Sequence, residues 1–328
     1  MDTSKGHNVK VNRERQNMNL VKLIERFGSE DRCRAYLETL RWPNGIRCPQ
    51  CGSQSISRIK TRNQLDCNNC RTRFSVKSGT VFHDSHLPLW KWFLATYLIT
   101  EAKKGVSANQ LKRTLGVSYK TAWYLCHRIR SAMVESAAEP LTGIVEADET
   151  YVGGKLKKRF KTKKEAAIGR LANKTVVLGA IERGGKVRLR AVEDVGQDIV
   201  HGFLRSTIGD DAEAVYTDSH RSYRGIGDHN TRHEYVDHAG EEWVRGDVHT
   251  NTIENVWSLF DRAVIGSYHK LSKKHLPAYL KEFEFRFNGR ENRYLFRDTL
   301  RALVRADALT YSDLTGQGDL PRRRTGRA

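Results

Sequence analysis

Four cysteines and three carboxylates are the residues whose types and spacing could do chemistry in this chain. Cys48-Pro49-Gln50-Cys51 and Cys67-Asn68-Asn69-Cys70 form two C-x-x-C pairs separated by residues 52–66. A C-x-x-C turn aims two sulfurs at one ion, and two such turns complete a tetrahedron of thiolates, the donor set of one structural Zn²⁺. Four protein ligands close the coordination shell, so this zinc holds structure and does not catalyse. A redox role would need one such pair, and two pairs argue against it. Gly52 and Arg71, each directly after a pair, suit knuckle turns in which backbone N–H groups and positive charge hold the thiolates.

The carboxylates are Asp148, Asp218 and Glu254. Two divalent ions about 4 Å apart can activate an attacking oxygen and stabilise a leaving oxygen in phosphoryl transfer. Mg²⁺ or Mn²⁺ takes carboxylate oxygens and keeps several waters, so two or three acids suffice. Spacing alone selects weakly among 38 acids, and Glu146, Glu149, Asp247 and Asp261 are the nearest competitors. His220 and His249 stand close enough in sequence to contact a scissile phosphate, although a lone histidine is more often a structural hydrogen-bonder.

Rigid elements must position such a set. Residues 144–148 read as a strand ending at Asp148, followed by a turn from Glu149. Alternation puts Ile144, Glu146 and Asp148 on one face. Residues 175–181 and 187–192 read as two strands joined by the hairpin Arg183-Gly184-Gly185. Residues 214–216 read as a short buried strand just before Asp218. Helices are expected over 252–265, with Glu254 in the first turn, and over 275–287. Strands with interleaved helices predict an α/β layer fold.

The first part of the chain reads differently. Residues 17–27 carry Leu20, Leu23 and Ile24 at helical spacing, and Ser29 reads as the cap of a second helix ended by Arg41-Trp42-Pro43-Asn44-Gly45. An aromatic helix follows the cysteines, through Leu89, Trp92, Phe93 and Tyr97. Then Ser107 and Ser118 each cap a helix, with a Gly116-Val117 turn between, which fits a helix-turn-helix. Its second helix is expected to expose Tyr119, Lys120, His127, Arg128 and Arg130. Trp123, Trp243 and Trp257 read as core, with Trp257 packed on the sheet.

The net charge is +19, from 57 Lys and Arg against 38 Asp and Glu. Such a field attracts polyanions, double-stranded DNA above all. The expected contacts are Arg58, Lys60, Arg71 and Arg73 on the ribbon, Tyr119, Lys120 and Arg128 on the second helix, and Lys157, Lys158 and Arg159 in a basic stretch between strands. No run of 18 apolar residues would span a membrane. Residues 1–16 are polar and without an apolar signal core, which predicts a cytoplasmic, nucleoid-associated protein. The expected divisions are a tail (1–17), a helical lead-in with zinc ribbon (18–82), a helix-turn-helix-like segment (83–138), the carboxylate domain (139–290) and a helical, basic tail (291–328).

With these residues in order, the chain resembles the bacterial insertion-sequence transposases of the ISXO type, which carry an N-terminal zinc ribbon and an RNase-H-like DDE domain. The motifs that carry the resemblance are Arg41-Trp42-Pro43, the two C-x-x-C pairs, Lys104-Gly105-Val106-Ser107 and Asp148-Glu149-Thr150-Tyr151-Val152-Gly153-Gly154. They continue with Thr217-Asp218-Ser219, His249-Thr250-Asn251-Thr252-Ile253-Glu254 and Glu282-Phe283-Glu284-Phe285-Arg286-Phe287-Asn288. The resemblance implies an α/β, RNase-H-like catalytic domain behind a small zinc ribbon and a helical segment. It implies Asp148, Asp218 and Glu254 as the catalytic acids, and water attack at element ends followed by attack of the freed 3′-hydroxyl on target DNA. Joining two ends to one target implies a homo-oligomer on DNA. The residues alone also fit a zinc-ribbon regulator without activity, or an RNase-H-like nuclease that cuts but does not join.

Overall fold

The computed structural model describes residues 18–134, 139–153, 174–227 and 231–316. The basic stretch with Lys157, Lys158 and Arg159 lies outside the described residues, as do the two terminal tails.

The first part is helical around a Cys₄ ribbon. Helix α1 (Leu20–Phe27) starts at Asn19, whose side chain accepts the Lys22 N–H. Helix α2 (Glu30–Arg41) starts at Ser29, as expected, and stops before Pro43. Strands β1 (Ile56–Ile59), β2 (Gln64–Cys67) and β3 (Arg73–Phe74) form the three-stranded antiparallel ribbon. Its own core is small: Cys48, Leu65, Cys67 and Phe74, with Trp42 edge-on to Phe74. So little apolar burial explains why a metal must add folding energy here.

Helix α3 (Leu89–Glu101) buries Trp92, Phe93 and Ile99. Helices α4 (Ala108–Leu115) and α5 (Tyr119–Ala132) form the anticipated pair. Ser107 and Ser118 cap them by accepting the Gln110 and Thr121 N–H groups, each at 3.1 Å. Gly116 sits at φ +59°, a left-handed turn open to glycine. One continuous core joins α1 to α5, and Phe296, Leu300 and Leu303 of a later helix, α9 (Leu295–Leu303), complete it.

The second part is an α/β sandwich. Strands β4 (Leu141–Gly153), β5 (Lys174–Glu182), β6 (Val187–Val192), β7 (Ile208–Asp218) and β8 (Arg232–Val236) form a sheet in the order β6-β5-β4-β7-β8. β5 runs antiparallel to both its neighbours, β4 and β6, and β7 and β8 run parallel to β4. This is the RNase-H-like arrangement that the resemblance implied. Helix α6 (Gln197–Arg205) covers one face, where Val200, Phe203 and Leu204 meet Val145 and Ala147. Helices α7 (Asn251–Ala263) and α8 (Leu276–Asn288) cover the other, where Ile253, Trp257, Phe260 and Phe283 meet Val152 and Val177. The short α10 (Tyr311–Thr315) ends the described chain.

Two expected boundaries are corrected. β4 does not end at Asp148. It runs on to Gly153 because Glu149 to Gly153 pair with β5 down to Lys174, so no turn begins at Glu149. β7 extends well beyond 214–216, since the polar residues before Ala214 still follow the edge of β4.

A buried ionic cluster locks the two parts together. The Arg130 guanidinium of α5 donates to Glu282 of α8, and both are almost fully buried. Arg286 donates to Glu282 at 3.2 Å and to the carbonyls of Ala102 and Lys103 at 2.7 and 3.1 Å. Tyr268 adds its hydroxyl at 2.6 Å. A Cβ at Gly105 would lie 1.8 Å from that Tyr268 oxygen, so only glycine fits there. The Lys104-Gly105-Val106-Ser107 motif and the Glu282-to-Asn288 motif thus serve a single junction.

Candidate active site and metal centre

The parallel pairing of β4 with β7 sets Ile144 beside Ala214 and Glu146 beside Tyr216. Continued by two residues, that register puts Asp148 beside Asp218, on the same face by alternation. Asp148 is mostly buried and its carboxyl is pushed up to about 7. Burial is the largest cause, followed by the neighbouring Glu149 carboxylate, with Asp218 adding to it. Two groups oppose the shift: the Glu149 backbone N–H, and the Trp257 indole, which donates to Asp148 Oδ2 at 2.9 Å. Trp257 packs on the sheet as anticipated. Its ring fills the space over Gly179, where a Cβ would come within 2.5 Å. Asp218 accepts the His220 N–H at 2.9 Å.

Glu149 points to the opposite side of the strand, where the buried Tyr223 hydroxyl donates to it at 2.7 Å. Its carboxyl is raised, chiefly by burial. Asp148 and Asp218 thus share a face at one end of β4 and β7, with Glu149 behind them, and a pair of carboxylates suits a hard divalent ion.

Glu254 lies in the first turn of α7, exposed, and accepts the Thr250 hydroxyl at 3.1 Å. Among the described residues, only the four cysteines bring three or more ligand atoms within 4.8 Å of one another. Glu254 is thus placed on a fixed helix but is not drawn into contact with the two aspartates. Its helix is held by Glu146, a residue first weighed only as a competing acid. Glu146 is fully buried and accepts the N–H groups of Thr252 and Ile253 at 2.7 and 3.1 Å. The Thr252 hydroxyl and the Arg183 guanidinium also donate to it, at 2.8 and 2.7 Å. Arg183 in turn meets His249 Nδ1 at 3.0 Å, which ties that histidine into the anchor. The signal in the sequence was alternation: Glu146 shares a face with Asp148 and lies at the strand's buried centre. His220 turns inward, its Nδ1 accepting the Ser222 N–H at 3.4 Å.

The zinc ribbon brings its sulfurs together, with Cys48 Sγ 3.6 Å from Cys70 and Cys51 Sγ 3.5 Å from Cys67. Gly52 and Arg71 both adopt positive φ and donate back to the carbonyls of Cys48 and Cys67 at 2.9 Å, the knuckle turns foreseen. Thr72, through its hydroxyl and then its backbone, pushes the Cys70 thiol down to about 6, which favours the thiolate a metal needs. The four sulfurs fit one structural Zn²⁺. Arg58, Lys60, Arg71 and Arg73 are all exposed, with Arg58 bridged to Glu38 at 2.7 Å.

The helix-turn-helix surface is corrected. His127, Arg128 and Arg130 are buried, not exposed. Arg128 lies over the Trp92 and Tyr124 rings and donates to the His83 carbonyl at 2.5 Å. His127 packs among Trp123, His275 and Tyr279. His127 and Arg130 face α8 and Arg128 faces the helical part, so of the five expected residues only Tyr119 and Lys120 stay outward, with Lys120 over the Tyr311 ring. Trp243 is also corrected: it is 59% exposed and stacks on His238. No helix of the described residues is long and apolar enough to cross a membrane.

The described chain thus combines a ribbon of four cysteines, a helical segment and an RNase-H-like sheet with aspartates on neighbouring strands. Residues 140–288 match the ISXO2-like transposase domain, and residues 28–73 match the transposase zinc-ribbon domain. The chain is 32% identical over 275 residues to "Uncharacterized protein in transposable element ISH50" from Halobacterium salinarum, covering 80% of this chain and 92% of that one. The chain belongs to the ISXO2-like transposase family. That relative is archaeal, so the resemblance reaches beyond bacterial elements. Two solved structures are distantly similar. One is a simian T-cell lymphotropic virus intasome in complex with PP2A regulatory subunit B56 gamma, at 12% identity and TM-score 0.27 over 58% of this chain and 66% of that one. The other is a pre-cleavage Mos1 transpososome, at 11% identity and TM-score 0.27 over 66% and 79%.

Proposed function

We propose that this protein moves an insertion sequence: it binds the element's ends, cuts to free 3′-hydroxyls and joins them to target DNA. The observation that carries the reading is the parallel pairing of β4 with β7 through Glu146 and Tyr216, which, continued by two residues, sets Asp148 beside Asp218, backed by a helix bearing Glu254 that Glu146 fixes to the same strand. Asp148 and Asp218 would hold divalent ions, with Glu254 closing the set once DNA is seated. Bound Mg²⁺ or Mn²⁺ supplies activation of the attacking oxygen and stabilisation of the leaving one. The chain's own contribution is orientation. Trp257 holds the Asp148 carboxylate by one oxygen, the His220 N–H holds Asp218, and the burial of both strands keeps their geometry fixed. The exposed arginines of the ribbon, together with Tyr119 and Lys120, would contact duplex DNA, and the basic charge would steer it. Two ends and one target call for a homo-oligomer on DNA.

The test uses purified protein, its Asp148→Ala variant and the DNA flanking its own gene, with Mg²⁺ or Mn²⁺. Wild-type cutting and joining that the variant lacks supports the reading. Nicking without joining would make it a nuclease, and tight binding with no cutting would make it a regulator.

A further inference from the structure

A cavity of about 840 Å³ opens between α3, α7, α8 and α9, beside the first turn of α7. It is lined on one side by Val256, Leu259, Phe287 and Leu295, an apolar floor. Its rim is cationic: Lys103, Arg262, Arg290 and Arg293 outnumber Glu101 and Glu291. Among the described residues, Lys103, Arg262 and Arg293 are exposed and enter no ion pair that would neutralise them. Arg286 also lines the cavity, but its guanidinium is committed to Glu282 and to the Ala102 and Lys103 carbonyls.

Charge narrows the occupant. The chain's own first 17 residues hold Lys5, Lys10, Arg13 and Arg15 against Asp2 and Glu14, so this segment would be repelled. A second copy carries the same +19. An anion with flat apolar surface satisfies both the floor and the rim, and nucleotides have that character. A volume of this size accepts a ligand of about one or two nucleotides but not a duplex.

We propose that this cavity binds an unpaired segment of a DNA strand as it passes the first turn of α7, base against the Leu259 and Phe287 floor and phosphate at the exposed rim cations Lys103, Arg262 and Arg293. The proposal rests on the transposase reading for its source of DNA, and it assigns a single-strand site distinct from the duplex contacts of the ribbon. Thr252 and Asn255 share the cavity wall with the helix that carries Glu254. A strand held there would leave the cut beside that acid.

The test is fluorescence anisotropy of the full-length, zinc-loaded protein with a short labelled oligo-thymidylate and, separately, with duplex DNA. Two variants leave the fold's interior untouched: Arg262→Ala with Arg293→Ala, and Asn255→Trp to fill the cavity without changing charge. The expected result is single-strand affinity lowered at least about tenfold by both the charge pair and the filling variant, with duplex affinity unchanged. The salt slope for the single strand should fall by about 0.7 for each phosphate contact removed. Loss with the charge pair but not with Asn255→Trp would show diffuse attraction and overturn the site. Wild-type protein that binds duplex but not oligo-thymidylate would overturn the inference and leave the transposase reading standing. Failure to bind either DNA would sink both.

Discussion

Glu146 on β4 accepts both the backbone N–H and the hydroxyl of Thr252, at 2.7 and 2.8 Å, so the strand that bears Asp148 also holds the start of the helix that bears Glu254. A carboxylate at a helix N-terminus satisfies donors that the helix itself cannot and meets the positive end of its dipole. Here the carboxylate is fully buried, and Arg183 balances its charge.

Removing that anchor should therefore cost both stability and catalysis. Glu146→Ala leaves Arg183 and two N–H groups unpaired, and we expect a loss on the order of 3–5 kcal/mol. Glu146→Gln keeps the acceptor oxygen and should lose less. Urea unfolding measures the first effect. DNA cleavage at a temperature where Glu146→Gln is fully folded measures the second, and wild-type rates for Glu146→Gln would show that Glu254 needs no such positioning.

A second expectation concerns pH. Asp148 titrates near 7 in the folded protein without divalent ions and near 3.9 when unfolded. Between about pH 4 and 7 the unfolded chain has released this proton while the folded one keeps it. Stability should thus fall as pH rises through that window and level off above it. Asp148→Asn should flatten the fall. Mg²⁺ should raise the melting temperature more at pH 8 than at pH 5, because it competes with the proton only where the proton is still held. Trp257→Phe removes a hydrogen bond that lowers the Asp148 value, so it should shift the whole profile upward. Melting curves across pH, with zinc retained and Mg²⁺ added or withheld, check all four.

The same contrast shows what the sequence could and could not reveal. The ribbon was legible because C-x-x-C spacing has few other uses, and even the knuckle residues Gly52 and Arg71 could be named. Ser29, Ser107 and Ser118 announced their helices because a cap is a local interaction. Asp148 and Asp218 could be chosen by motif, but their shared register is a long-range pairing. The length of β4 is likewise hidden, since residues 149–153 are strand only because β5 lies beside them. Arg128 and Arg130 of α5 look like surface residues until their partners, Trp92 and Glu282, are known. Burial of a charge is decided by tertiary partners and leaves no periodic trace in one chain.

The ribbon supplies a third prediction. Cys48→Ser should lose bound zinc and unfold the three-stranded sheet, since only a few apolar side chains remain to hold it. The α/β part has its own cores and should stay folded. Zinc content by mass spectrometry and far-ultraviolet dichroism would test this. Duplex binding should weaken in the same variant, and unchanged binding without zinc would remove the ribbon from the DNA interface.

The most direct measurement replaces Asp218 with cysteine and follows cleavage and joining of the element's ends in Mg²⁺ and in Mn²⁺. A thiolate is a poor ligand for Mg²⁺ and a better one for the softer ion. If Asp218 ligates a catalytic metal, Asp218→Cys should bind DNA like wild type, stay inert in Mg²⁺ and recover cutting and joining in Mn²⁺. Wild-type cleavage by this variant in Mg²⁺, or its loss of DNA binding, would contradict the assignment of Asp218 to the catalytic metal site.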